Sequence, residues 1–109
     1  MAPYKLRDAT IVQLRELRKG MLSLDYQLAR IELPLKLQRE SALQLSDIQY
    51  YLTSLEVVEL AEIRTELVKN EDELKESIAD VEESIGELAE IEQSLAIVSG
   101  FLQIVARII

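Results

Sequence analysis

The chain has 109 residues, of which 49% are hydrophobic and 29% are charged, and its formal net charge at pH 7 is −8. This length and composition predict a single helix-rich globular domain, residues 1–109, rather than a disordered chain. Cys and His are both absent, which excludes disulfides, zinc–thiolate sites and the usual catalytic triads. We therefore expect a protein that is not an enzyme and that binds no metal or cofactor.

The net charge lies in the last third of the chain. Residues 1–69 carry ten basic and ten acidic side chains, whereas residues 70–109 carry two basic and ten acidic ones. Because phosphate backbones are bound by clustered Lys and Arg, an acidic chain without a basic stripe argues against nucleic acid as a partner. No apolar run of signal-peptide length follows the N-terminal charges, so we expect a cytoplasmic protein.

The first predicted helix covers residues 8–33. Beyond Gly20 the apolar residues also fit a period of two, so a β tip over residues 21–38 is an alternative. Residues 29 and 30, where two strands would join, lack the turn residues that hairpins need, and this favours the helix. The apolar residues of this segment alternate steps of three and four, as on a helix that buries one narrow stripe: Leu14, Leu17, Met21, Leu24, Leu28, Ile31 and Leu35.

Pro34 sets the next boundary, because its ring disfavours helical geometry at the preceding residue and removes a backbone donor. A second helix is predicted over residues 36–69. Asn70 is a good N-cap residue, which predicts a tight turn and a third helix over residues 71–108. The alternative is one unbroken helix from about residue 46 to residue 108, which an oligomeric coiled coil would have to cover.

These helices predict an all-α fold, either a long antiparallel helical hairpin or a three-helix bundle with coiled-coil-like heptad packing. The buried stripe of the third helix drifts sideways, so two helices leave apolar surface uncovered, which predicts a homo-oligomer. The predicted self-association residues lie on a seven-residue ladder or on the stripe beside it: Leu60, Leu67, Leu74, Val81, Leu88, Leu95, Val98, Leu102, Val105 and Ile109.

Tyr50 and Tyr51 are adjacent and so point to different sides of the second helix. We expect one to pack and the other to contact a partner protein, because Tyr is enriched at interfaces. The ten acidic residues between Glu71 and Glu92 predict a solvated acidic face. A cation site is disfavoured because the segment has neither a calcium-loop pattern nor the Glu-x-x-His motif of di-iron bundles.

No charged residue occurs from Gln93 to Ala106. This run is shorter than the ~20 residues that span a membrane, so it favours the buried end of a bundle or a subunit interface. Insertion of residues 93–109 into a membrane is the alternative.

The expected function is a non-enzymatic helical oligomerisation and protein-interaction module. Two alternatives remain open: a membrane-active helical protein that inserts its apolar C-terminal segment, and a small chaperone-like or secretion-linked adaptor that uses a helical hairpin with a β tip.

Overall fold

Six α-helices and one 3₁₀ turn follow one another in the computed structural model, which describes residues 1–109 and contains no strand. The all-α prediction is therefore confirmed, and the β tip over residues 21–38 is wrong. The elements are α1 (Pro3–Met21), α2 (Leu24–Ile31), α3 (Leu35–Val57), α4 (Leu60–Lys69), α5 (Glu71–Ser84), the 3₁₀ turn (Ile85–Glu87) and α6 (Ile91–Ile108).

The first predicted helix, residues 8–33, is divided into α1 and α2. Helix α1 already begins at Pro3, because proline fits the first turn of a helix. The break comes at Ser23, whose backbone is extended and whose hydroxyl accepts a hydrogen bond from the backbone N–H of Tyr26 at 3.3 Å. Serine in this position is an N-cap, so it starts a new helix in a new direction.

The second predicted helix, residues 36–69, is divided into α3 and α4. Its start next to Pro34 is as predicted, but Val58 and Glu59 adopt extended backbone and separate the two helices. The two adjacent valines before Glu59 are β-branched and have only moderate helix propensity. The third predicted helix is also broken, at the 3₁₀ turn that contains Gly86, a residue that destabilises a helix interior.

Four long helices form a ring in which α1 and α6 each contact both α3 and α5. Helix α2 packs on α1, α3 and α6, and helix α4 packs on α1 and α6. The structure is thus a four-helix bundle completed by two short helices, rather than a two-helix hairpin or a bundle of three. Leu14, Leu52, Leu74 and Phe101, one from each long helix, are fully buried in its apolar core.

Contacts along α1 show where the chain reverses direction. Arg15 of α1 pairs with Glu56 at 3.1 Å, the N-terminal amine of Met1 with Glu71 at 3.2 Å, and Gln13 with Glu82 at 3.0 Å. Residues 56 to 70 therefore run antiparallel to α1, and the chain runs parallel to α1 from residue 71 to residue 82. The predicted turn is present, and the alternative of one unbroken helix over residues 46–108 is wrong.

Asn70 forms this turn by a different contact from the predicted one. Its side-chain amide donates to the backbone carbonyl of Glu66 at 2.8 Å, and it makes no side-chain cap for α5. The residue therefore satisfies the C-terminal end of α4 instead of the N-terminal end of α5. Asn70 occupies the N-cap position of α5, as predicted, but the side-chain hydrogen bond expected of an N-cap is absent.

Candidate functional site

The predicted self-association residues lie mostly inside the bundle of a single chain. Leu60 and Leu95 are partly buried against the core, and Ile109 is exposed. Self-association through this ladder stays a prediction, and apart from Ile109 its members present little surface to a second copy. The remaining seven are buried: Leu67, Leu74, Val81, Leu88, Val98, Leu102 and Val105.

The adjacent tyrosines of α3 point to different sides, as predicted. Tyr50 is exposed, whereas Tyr51 packs against the core, and their rings meet edge to face with centroids 5.7 Å apart. Burial raises the pKa of the Tyr51 hydroxyl, and the Asp47 carboxylate raises it further. A contact between Tyr50 and a partner protein stays a prediction.

The largest cleft, about 780 Å³, lies between α4, the start of α5 and the end of α6. An exposed ion pair stands at its edge, where Arg107 donates to Glu73 at 2.8 Å. Glu62, Glu66 and Lys69 line the cleft together with four apolar side chains. The acidic residues of the chain form no group of three or more that could hold a metal ion.

The most unusual surface of the molecule is on α2, which turns its apolar side outward. Leu24, Leu28 and Ile31 are spaced by four and three residues, so they share one side of the helix. Their exposed fractions are 73%, 53% and 61%. Tyr26 lies on the opposite side and is only 3% exposed. The three aliphatic side chains therefore face solvent while the tyrosine faces the bundle.

The Tyr26 hydroxyl forms a hydrogen bond with another side chain inside the bundle. It is 2.6 Å from the hydroxyl of Ser41 on α3, and both groups are buried. Burial raises the pKa of Tyr26, an effect larger than the lowering by the Ser41 hydrogen bond and the Arg30 charge. A neutral phenol with a satisfied hydroxyl fits an apolar interior, so this contact sets the rotation of α2 about its own axis.

Two amide side chains hold the ends of α2. Gln27 of α2 donates to the backbone carbonyl of Met21 at 2.6 Å. Gln38 of α3 donates to the carbonyl of Ile31, the last residue of α2, at 3.4 Å and to that of Leu33, just after α2, at 2.8 Å. These hydrogen bonds tie α2 to the end of α1 and the start of α3. The outward orientation of the aliphatic side is thus fixed at both ends of the helix as well as at its centre.

Leu22 and Leu35, next to the two ends of α2 in the chain, are also more than half exposed. We refer to Leu22, Leu24, Leu28, Ile31 and Leu35 together as the α2 face. The sequence pattern placed Leu24, Leu28, Ile31 and Leu35 on a buried stripe, and that prediction is wrong for all four. The stripe is buried only in its first part, which belongs to α1.

Comparison with known proteins gives no match. No family model matches the chain, and no curated protein or solved structure is significantly similar to it. The candidate site therefore depends on the geometry of this chain alone.

Helix α6, Ile91–Ile108, is long and apolar enough to cross a membrane when judged by length and composition alone. Half of it is buried inside the bundle, as in the core helix of a soluble protein. Phe101 and Val105 of α6 are fully buried. Insertion of residues 93–109 into lipid would therefore require α6 to leave the core.

Proposed function

We propose that this chain is a non-enzymatic helical protein-interaction module and that the α2 face is its binding surface. The observation that supports this proposal is the orientation of α2, which exposes Leu24, Leu28 and Ile31 on one side of the helix. Single exposed aliphatic residues are common on protein surfaces, but several of them together mark interaction sites.

The surroundings of the α2 face resemble the rim of a protein interface. Asp25, Glu32, Lys36 and Arg39 are exposed in the same segment of the chain. Protein interfaces typically combine an apolar centre with a polar and charged rim of this kind. A partner protein could thus bury the aliphatic side chains while the charged groups stay in contact with water.

The other clefts offer less support for a function. The chain has no His or Cys to act as a base, nucleophile or zinc ligand. The membrane alternative requires α6 to leave the core, and the adaptor alternative loses its β tip. Protein binding through α2 needs neither a change of fold nor a reactive group, because the required surface is already exposed.

Site-specific photocrosslinking in the native host tests the proposal. A benzoylphenylalanine in place of Leu28 should give one or a few defined protein adducts. The same probe in place of Val57, which is exposed on α3, serves as the matched control. Replacing both Leu24 and Ile31 by Gln should remove the adducts of the Leu28 probe. Identical adduct patterns at the two positions, or none at Leu28, would contradict the proposal.

A further inference from the structure

We infer that the partner of the α2 face is a second copy of this chain, which binds by its own α2 face around a two-fold axis. This inference rests on the proposed function, because it names the partner of the same surface. It differs from self-association through the heptad ladder, whose side chains are mostly buried within one chain.

A two-fold contact is consistent with the arrangement of the exposed residues. Leu28 lies between Leu24 and Ile31 on α2, about 6 Å and 4.5 Å from them along the helix axis at 1.5 Å per residue. A two-fold contact places the same patch on both subunits and closes after two copies. With the axis passing near the centre of the patch, Leu28 meets Leu28 of the second copy.

The size of the α2 face fits a small homodimer. Its five aliphatic side chains are each more than half exposed and together expose on the order of 400 Å², a total similar to the apolar area of the largest patch on a typical monomer. A standard interface takes about 800 Å² from each partner, of which a little over half is apolar. The α2 face therefore supplies most of the apolar area that one subunit of such a dimer needs.

The chemistry of the α2 face also favours a copy of itself over lipid. Its side chains are all Leu or Ile, so they require no hydrogen bonds from the partner, and an identical aliphatic surface covers them. The exposed charges of this segment, Asp25, Glu32, Lys36 and Arg39, balance one another, but the whole chain carries a charge of −8. Anionic membranes repel a chain of this net charge, and the α2 face lacks the Trp and Tyr typical of lipid interfaces.

Sedimentation velocity of the purified full chain tests the inference. We expect a reversible monomer–dimer equilibrium with a dissociation constant on the order of 100 µM, as for a small interface. The triple variant Leu24→Gln, Leu28→Gln and Ile31→Gln should weaken dimerisation at least tenfold. Because Gln is a good helix former, circular dichroism should show unchanged helix content.

A control variant removes the same number of exposed aliphatic side chains from three other helices. Val12, Val57 and Val68 lie on α1, α3 and α4 and are all exposed, and each is changed to Gln. This variant should dimerise as the parent chain does. Equal weakening in both triple variants would show that the effect comes from general surface hydrophobicity and would overturn the inference.

The absence of Cys in the natural sequence allows a direct test of the two-fold position. A Leu28→Cys variant should form a disulfide-linked dimer under mild oxidation, whereas a Val57→Cys variant should stay monomeric at the same concentration. Mixing a Leu28→Glu protein with a Leu28→Lys protein should give more dimer than either alone, because opposite charges then meet across the axis. No enrichment in the mixture would contradict the assigned position.

The two proposals fail in different ways. A purified chain that is monomeric at roughly 500 µM, well above the expected dissociation constant, would overturn the dimer. If the Leu28 photocrosslink in cells then joins a different protein, the interaction module stands with another partner. Binding of the parent chain, but not of the α2-face triple variant, to vesicles of neutral phospholipid would also overturn the dimer, because it would assign the α2 face to lipid.

Discussion

Gly20 of α1 and Leu88, just after the 3₁₀ turn, approach each other so closely that a Cβ on Gly20 would lie 2.5 Å from Leu88 Cδ1. Leu88 is buried, so its side chain has little free space in which to move. Gly20 lies within α1, as the predicted helix over residues 8–33 implied, although glycine weakens a helix interior. Any side chain at position 20 would require Leu88 to move.

A Gly20→Ala substitution should lower the free energy of unfolding by about 1 kcal/mol, because overpacking of the contact with Leu88, which costs about 1 to 3 kcal/mol, outweighs the gain of about 0.5 to 1 kcal/mol in helix propensity. Gly100→Ala is the matched control, since a Cβ there meets no atom within 4 Å. It should raise stability by about 0.5 to 1 kcal/mol through reduced backbone entropy of the unfolded chain. Urea unfolding followed by circular dichroism measures both changes.

A double-mutant cycle separates the steric effect from helix propensity. In a Leu88→Ala background the contact is gone, so Gly20→Ala should become neutral or stabilising. A loss of stability that is the same in both backgrounds would contradict the steric explanation.

The hydrogen bond between Tyr26 and Ser41 should contribute measurably to stability. Tyr26→Phe leaves the buried Ser41 hydroxyl without this partner, so we expect a loss of about 1 to 2 kcal/mol in urea unfolding. Tyr50→Phe is the control, because Tyr50 is exposed, and it should change stability by less than about 0.5 kcal/mol. Equal effects at the two positions would contradict a structural role for the Tyr26 hydroxyl.

Stability should fall at alkaline pH. Burial raises the pKa of Tyr26 above its ordinary value of 10.0, so the unfolded chain loses this proton at a lower pH than the folded chain does. The stability that comes from burying Tyr26 as a neutral phenol is fully present below pH 10.0. It is lost as pH rises from there through the pKa that Tyr26 has in the folded chain. Tyr51, whose pKa is also raised, acts in the same direction.

The measurement for this pH dependence is the midpoint of urea unfolding between pH 9 and pH 11. This range covers about one pH unit on each side of the ordinary pKa of tyrosine. The decrease should be smaller in Tyr26→Phe than in the parent chain, while Tyr50→Phe should follow the parent chain. An unchanged decrease in Tyr26→Phe would show that Tyr26 does not cause the effect.

The side chains of the seven-residue ladder should stabilise the core of one chain rather than join two chains. Leu74→Ala creates a cavity at a fully buried position of the core and should cost about 2 to 5 kcal/mol. Ile109→Ala changes the exposed member of the ladder and should cost less than about 0.5 kcal/mol. The loss in Leu74→Ala should be independent of protein concentration, whereas a ladder that joins two chains would make it depend on concentration.

The sequence predicted those parts of the fold that depend on local chemistry. The helical class follows from apolar spacing, and Pro34 marks a boundary because a proline ring constrains the residue before it. The turn at Asn70 was also predicted, although its hydrogen bond goes to Glu66. The break at Val58 and Glu59 was missed, since neither glycine, proline nor a side-chain cap marks it.

The candidate site could not be predicted from periodicity. The spacing of Leu24, Leu28 and Ile31 identifies an apolar side of α2 but does not say which side of the helix meets the bundle. That orientation depends on Tyr26 and on Ser41, 15 residues further along the chain. A hydrogen bond between positions so far apart has no repeating signal in the sequence.

The position of α1 in the bundle affects how the chain folds during synthesis. Met1, just before α1, contacts Glu71, and Gln13 of α1 contacts Glu82, separations of 70 and 69 residues. Such distant pairings slow folding, because a long loop must close before the contacts form. Helix α1 can pack on α3 once α3 has been translated, but its contacts with α5 form only after α5 has followed. The hairpin of α5 and α6 is local in sequence and can form as soon as its residues emerge.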